Sequence, residues 1–421
     1  MSKNTLYIHY GECLVGSLEE ESNGLLQFSY AQEWLKKKDS FALSLAMSLQ
    51  EAPYQGKIVT SFFENLIPEG EQRRQLERIA GLPESDDFTF LERFGEDCAG
   101  ALSIHAQANS AKVKGHREDL PIPFEIIEKA IEDGLPFQAT LDPEGEPPPF
   151  SLAGAQAKIP CCLSRGAVTI PFGKPTTHII KMPIRSGNKL LDSVENEYLC
   201  MRLAEKCGLP VPRVSILGKK IPLFVIERFD RSLAENSIKR IHTQDFCQAL
   251  GRPSKEKYEK HGGPSFSDCY NLIRDHSSSA ARDLLALLDW VGFNLAIGNN
   301  DSHAKNLSFL HTAQGPILAP FYDLICTSIY PQYNSQFAFR IAEVSNWDKI
   351  TPDRVAAFSK KLGLRGDFVS NRWRKIMEHV RDGLSENSWL DPWPATLAKT
   401  FRKIANESEK RIGYLDKALK K

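Results

Sequence analysis

The period of the apolar positions changes along the chain, and each change marks an element. Leu6-Tyr-Ile-His and Leu25-Leu-Gln-Phe-Ser-Tyr read as short strands, while Pro68 to Ala80 carries a helical pattern that closes on Gly81-Leu-Pro83. Residues 5 to about 107 therefore form an α+β module. Gln107 to Asp119 is polar and runs into Pro121-Ile-Pro123, which predicts a linker and then a helix from Pro123 to Asp133. Pro143-Glu-Gly-Glu-Pro-Pro-Pro149 is a stiff lead-in that excludes helix. Beyond it, Phe150-Ser-Leu152, Lys158 to Leu163, Ala167 to Ile170 and Thr177 to Met182 read as antiparallel strands. Asp192 to Cys207 has apolar residues at 199, 203 and 204 and stops at Gly208-Leu-Pro210, which predicts a helix with a defined end. Two more strands come at Val211 to Leu217 and Leu223 to Glu227. From Thr243 onward the pattern is almost wholly helical, with Leu284 to Ile297 as its longest apolar stretch.

This order predicts an α+β protein. An N-terminal α+β module (1–110) would precede a two-lobed part: a sheet-rich small lobe (123–242) and an all-helical large lobe (243–421). The 421 residues accommodate that many pieces at roughly 100 to 200 residues each. Composition narrows the function classes. Lys+Arg and Asp+Glu both total 53, so bulk charge cannot grip nucleic acid or a membrane surface. The opening Met1 to Tyr10 is broken by polar groups before it resembles a signal segment. The 284–297 stretch is interrupted by Asp289 and Asn294 and is too short to span a bilayer. Nine cysteines are scattered without a C-x-x-C pair, which argues against a disulfide framework or a zinc ribbon. The expected setting is a reducing cytoplasm, away from membranes.

The densest chemistry lies in Asn299-Asn-Asp-Ser-His-Ala-Lys-Asn306, directly after the apolar helix. A strand (Leu307 to Leu310), a turn at Gly315, a second strand (Ile317 to Ala319) and Phe321-Tyr-Asp323 come next. Phosphoryl transfer needs a carboxylate for the attacking hydroxyl and two oxygen ligands for magnesium. Asp301, Asn306 five residues on and Asp323 across the hairpin supply that set, with the D-x4-N spacing of a protein-kinase catalytic loop. The pattern departs from kinases in lacking H-R before Asp301, and His303 stands where they usually carry lysine. In isolation the motif also fits a solvated loop. Lys181 ends an alternating strand from which an ammonium can reach phosphates, and Glu197 is the first candidate to pair with it, with Glu195 as the alternative. Ser151-Leu-Ala-Gly-Ala-Gln-Ala-Lys158 links strands through small residues whose backbone N–H groups suit a phosphate, although it lacks G-x-G-x-x-G. Glu227-Arg-Phe-Asp-Arg231 ends the last small-lobe strand, the position of a kinase hinge, although by itself it reads more readily as a charged strand end than as a hinge. Gly95-Glu-Asp-Cys-Ala-Gly100 begins like a Walker A loop, but Ala101-Leu102 replaces the required Lys and Ser/Thr, which predicts a structural turn.

In this order the motifs resemble the HipA family, the serine/threonine kinase toxins of bacterial toxin–antitoxin modules. The resemblance also covers Phe62-Phe-Glu-Asn-Leu-Ile-Pro68, His178-Ile-Ile-Lys-Met-Pro183, Asn196-Glu-Tyr198, Gly262-Gly-Pro264 and Pro320-Phe-Tyr-Asp323, so it spans nearly the whole chain. It implies a protein-kinase-like fold, with Asp301 as catalytic base and Asn306 and Asp323 as magnesium ligands. ATP would be held by Leu152, Ala153, Gly154, Ala155, Gln156, Ala157, Lys158 and Lys181, by Glu227, Arg228 and Phe229 at adenine, and by His303, Lys305 and Tyr322. Ser151 matches the family's autophosphorylated serine. The resemblance further implies a HipB-like helix-turn-helix antitoxin, operator DNA reached through that complex, and a protein substrate such as an aminoacyl-tRNA synthetase. A small-molecule or lipid kinase on the same scaffold, or an inactive antitoxin-binding corepressor, are the alternative functions.

Overall fold

The structure, a computed structural model, describes residues 4–108, 118–134, 152–164, 167–187, 189–234, 237–333, 335–386 and 395–419. Ser151 and the prolines at 143 and 147–149 lie outside the described residues. The chain divides into two compact units: residues 1–182 with 217–254 and 310–313, and residues 183–216 with 255–309 and 314–421.

In the first unit, β1 (Asn4–Tyr10), β2 (Cys13–Glu20), β3 (Leu26–Tyr30), β4 (Tyr54–Gln55) and β5 (Leu102–His105) form an antiparallel sheet in the order β4-β3-β2-β1-β5. Alternation decides its buried face: Leu6 pairs with Leu18, Leu18 with Phe28, and Ile8 with Ile104, all within the core. Helix Lys57–Glu64 covers that face with Phe62 and Phe63. The expected helix after Pro68 is present as Gly70–Ala80 and ends on Gly81. It starts two residues later than expected, after an extended Glu69 whose N–H donates to the Gly154 carbonyl at 3.0 Å.

A second sheet in this unit contains β6 (Leu120–Ile122), β7 (Lys158–Ser164), β8 (Ala167–Ile170) and β9 (His178–Lys181), ordered β9-β7-β8-β6, with strand Leu223–Glu227 on the far side of β9. Helix Phe124–Asp133 packs Ile127 and Ile131 on its apolar face, as the periodicity predicted. The expected strand at 150–152 does not extend into the described residues, where Leu152 is irregular.

The second unit is helix-dominated and also holds the hairpin Arg185–Ser186/Lys189–Leu190 and strand Gly315–Leu318. Its helices are Ser193–Lys206, Phe266–His276, Ala280–Ile297, Pro352–Lys361, Phe368–Ser385 and Ala395–Ala418. Ala280–Ile297 is buried along most of its length, with Trp290 and Phe293 inside. Residues 319–351 contain no α-helix among those described; Phe337, Phe339 and Ile341 are nonetheless buried, so this stretch packs as irregular chain. No helix of the described residues is long and apolar enough to cross a membrane.

Candidate active site

Helix Ala280–Ile297 ends on Gly298 at φ 77, a left-handed cap, and delivers the polar loop from there. Buried carbonyls and amides organise that loop. Asn299 donates its amide to Asn294 Oδ1 at 2.9 Å and to the Asp323 carbonyl at 3.5 Å, while its Oδ1 accepts the Asp301 N–H at 3.1 Å. Asn306 donates to the Asp301 main-chain carbonyl at 3.1 Å. Asp301 itself is exposed, and its Oδ1 accepts the Tyr258 hydroxyl at 2.6 Å. The three residues singled out by spacing are thus linked in one loop system through Asn299. Asp323 sits at φ 54, a left-handed conformation that costs a non-glycine residue about 1–2 kcal/mol.

The donor set suits magnesium. A hard cation takes oxygen ligands, and the Asn306 amide uses its NH2 on the Asp301 carbonyl, so that a cation here would meet its Oδ1. Asp323 contributes a carboxylate. Among the described residues no three His, Cys, Asp or Glu side chains form a self-sufficient metal site. A cation here would therefore complete its shell with water and nucleotide phosphates, the usual mode for magnesium.

His303 is buried, and burial pushes its imidazole down to about 4. It is neutral at pH 7 and supplies no cation where kinases place their loop lysine. Its ring instead stands edge-on to Tyr258, with centroids 5.1 Å apart. Lys305 is buried in the same loop, and its carbonyl accepts the Tyr322 hydroxyl at 2.6 Å. That hydroxyl also meets Ser308 Oγ at 2.7 Å, so Tyr322 braces the loop.

In the first unit, β7 and β9 set Lys158 directly opposite Lys181. Lys158 Nζ donates to the Ala153 carbonyl and closes the 153–158 turn on itself. Gln156 donates to the Met182 carbonyl at 2.7 Å, which ties the turn to the end of β9. Ser151, expected to be the regulatory position, falls outside the described residues.

Arg228, expected at the adenine, has its side chain engaged within the first unit. Its guanidinium is buried, bonding Asp230 at 2.8 Å, the Cys98 carbonyl at 2.9 Å and Thr176 Oγ1 at 2.9 Å, and its backbone N–H is taken by Thr177. Glu227 and Phe229 on either side are half-buried. The Gly95–Gly100 segment is a structural turn, as expected. Its Asp97 bonds Arg231 at 2.8 Å, Arg240 at 3.2 Å and Thr176 Oγ1 at 2.6 Å, and Gly100 donates to Asp230. Burial alone would raise the Asp97 carboxyl, but the three guanidiniums outweigh it and hold it well below the ordinary range. Tyr258 and Asn299 were not singled out by spacing. The signals were Gly262-Gly-Pro264 just after Tyr258, and the doubled asparagine before Asp301.

Comparison with known proteins agrees with this chemistry. The family model for the HipA N-terminal domain matches residues 6–105, and that for the HipA-like C-terminal domain matches residues 150–386. The chain is 35% identical to the Sinorhizobium fredii protein Y4mE over 394 residues, covering 91% of this chain and 92% of that protein. It is 28% identical over 435 residues to the serine/threonine-protein kinase toxin HipA of Shewanella oneidensis, covering 98% and 97%. A solved structure of the Shewanella oneidensis toxin–antitoxin system, HipA with HipB and its operator DNA, superposes with TM-score 0.82 at 25% identity, covering 98% of this chain and 99% of that one. With both domain models matched in order over a loop that carries Asp301, Asn306 and Asp323, the chain belongs to the HipA family and is a kinase.

Proposed function

We propose that the protein is the ATP- and magnesium-dependent serine/threonine kinase of a bacterial toxin–antitoxin module, acting in the cytoplasm. The observation that carries this reading is the loop itself: an exposed Asp301 carboxylate beside an Asn306 whose amide is aligned on the same residue's carbonyl. A substrate serine or threonine oxygen attacks the γ-phosphorus of ATP, the bond from that phosphorus to the β–γ bridging oxygen breaks, and ADP leaves. The hydroxyl proton passes to the Asp301 carboxylate. Magnesium held by Asn306 and Asp323 would neutralise charge on the phosphate oxygens. Lys181 and the 152–158 turn would hold those phosphates, and Glu227 to Phe229 the adenine, through backbone groups in the case of Arg228.

The module's other half is a HipB-like helix-turn-helix antitoxin that brings the kinase to operator DNA. Zero net charge supports such borrowed DNA affinity, and the structural relative is a complex of that composition. The substrate is a protein such as an aminoacyl-tRNA synthetase, whose phosphorylation inhibits translation. Ser151 is the autophosphorylation site; a phosphate there adds about −1.5 to −2 charge beside the turn meant for ATP phosphates and so turns the kinase off.

Intact mass and phosphopeptide mapping after incubation with Mg-ATP, alongside Asp301→Ala, test the reading. One added phosphate on Ser151, absent in the variant, supports it. Transfer by Asp301→Ala within about tenfold of wild type removes Asp301 from the base role.

A further inference from the structure

The Gly262-Gly-Pro264 motif has no part in the chemistry assigned so far, yet the turn it closes touches the candidate base. The 3-10 turn Glu259–His261 starts from Tyr258, whose carbonyl accepts the His261 N–H at 3.0 Å and the Gly263 N–H at 3.1 Å. Gly263 approaches the preceding backbone so closely that a Cβ there would stand 1.8 Å from the Glu256 carbonyl oxygen and 2.8 Å from that of Tyr258. Only glycine closes this turn. The turn is also tied on two sides. Glu259 Oε2 accepts the Arg340 N–H at 2.6 Å, and the Lys257 carbonyl accepts the Ala304 N–H at 3.4 Å, within the loop of Asp301 itself.

The Tyr258 ring is fixed by this frame. His303 meets it edge-on at 5.1 Å, His261 does so at 5.7 Å, and the ammonium groups of Lys257 and Lys260 each lie 5.7 Å from its centroid. Its hydroxyl then donates to Asp301 Oδ1 at 2.6 Å, the length of a strong hydrogen bond to a carboxylate. A carboxylate offers about four lone-pair sites on two oxygens, so one oxygen can be held while the other receives a substrate hydroxyl.

We propose that Tyr258 is a positioning residue for phosphoryl transfer: it holds the Asp301 carboxylate in one rotamer, with Oδ2 presented to the phosphoacceptor, and the double glycine exists to shape the turn that aims it. The inference rests on the reading of Asp301 as base. Acting through Asp301, Tyr258 affects the turnover of bound ATP and not ATP binding.

The test measures ADP formation from Mg-ATP, with water or the chain's own side chains as acceptor, for wild type, Tyr258→Phe, Asp301→Asn and the double variant. Tyr258→Phe keeps the ring contacts and removes the one donor. The expected result is a kcat loss of about 10- to 100-fold with KM for ATP within about twofold and an unchanged melting temperature. In the Asp301→Asn background the same change should have an effect of less than about twofold, because the group through which Tyr258 acts is gone. A kcat for Tyr258→Phe within about twofold of wild type, a gain in kcat that marks the phenol as a blocking group, or a full loss repeated in the Asp301→Asn background would each overturn the proposal. An Asp301→Asn variant that retains wild-type turnover would instead overturn the reading of Asp301, and the role of Tyr258 with it.

Discussion

Asn306 donates its side-chain amide to the main-chain carbonyl of Asp301 over 3.1 Å, closing a five-residue loop between the candidate metal ligand and the candidate base. The spacing of these two residues is therefore a hydrogen-bonded geometry as well as a pattern. The same contact fixes the direction of the amide oxygen.

Asn306→Ala should lose both roles at once. Transfer of the ATP γ-phosphate is expected to fall about 100-fold or more, the range produced by an ångström-scale misplacement of reacting groups, with the magnesium concentration for half-maximal rate raised. A magnesium titration of the rate checks this; an unchanged midpoint would remove Asn306 from the ligand set.

Asn196 should prove structural despite its place in a family motif. It is fully buried; its Oδ1 accepts the Cys326 N–H at 2.9 Å and its Nδ2 donates to the Cys326 carbonyl at 2.9 Å, so the side chain imitates a strand partner. Asn196→Ala leaves both backbone groups unpaired and should destabilise by about 2–4 kcal/mol in urea unfolding. Recovery of full stability in the variant would show that water takes over both bonds.

The Asp97 cluster predicts a larger loss. Asp97→Asn leaves Arg228 and Arg231 with Asp230 and takes from Arg240 the carboxylate it pairs with at 3.2 Å, and should cost about 3–5 kcal/mol. Thermal unfolding reads it directly. Because the folded-state carboxyl is held low, its contribution is present above about pH 3.9 and is lost only as pH falls below that value.

The histidines set the pH dependence at milder acidity. Burial lowers His242 to about 4 and His311 to about 3, against an ordinary value of about 6.5. The unfolded chain takes up these protons first, so their contribution to stability is complete above about pH 6.5 and declines as pH falls toward 4. His242 bonds the Leu43 carbonyl at 2.8 Å, a bond that glutamine can keep. His242→Gln should flatten the stability slope between pH 5 and 6 by about 1.4 kcal/mol per pH unit. An unchanged slope would mean that His242 is not buried in its neutral form.

The local signals were strong where local forces decide. Helix Ala280–Ile297 ended on its glycine, helix Phe124–Asp133 began after its proline, and β8 and strand Leu223–Glu227 matched their apolar runs, because caps and alternation act over a few residues. Pro212 has no N–H to give a ladder, and the expected strand from Val211 starts only at Val214. The D-x4-N spacing likewise located Asp301 and Asn306 without tertiary information.

The sequence by itself determined the element order, the catalytic-loop candidates and the family. The tertiary structure decided which polar groups were already in use. Arg228 lay beside Glu227 and Phe229 in a plausible hinge, yet its partners Asp97 and Cys98 are about 130 residues away in the chain, and desolvation made their pairing obligatory. Tyr258 lies 43 residues before Asp301, and no local pattern relates the two. A backbone turn that only Gly263 can close brings that hydroxyl to the carboxylate.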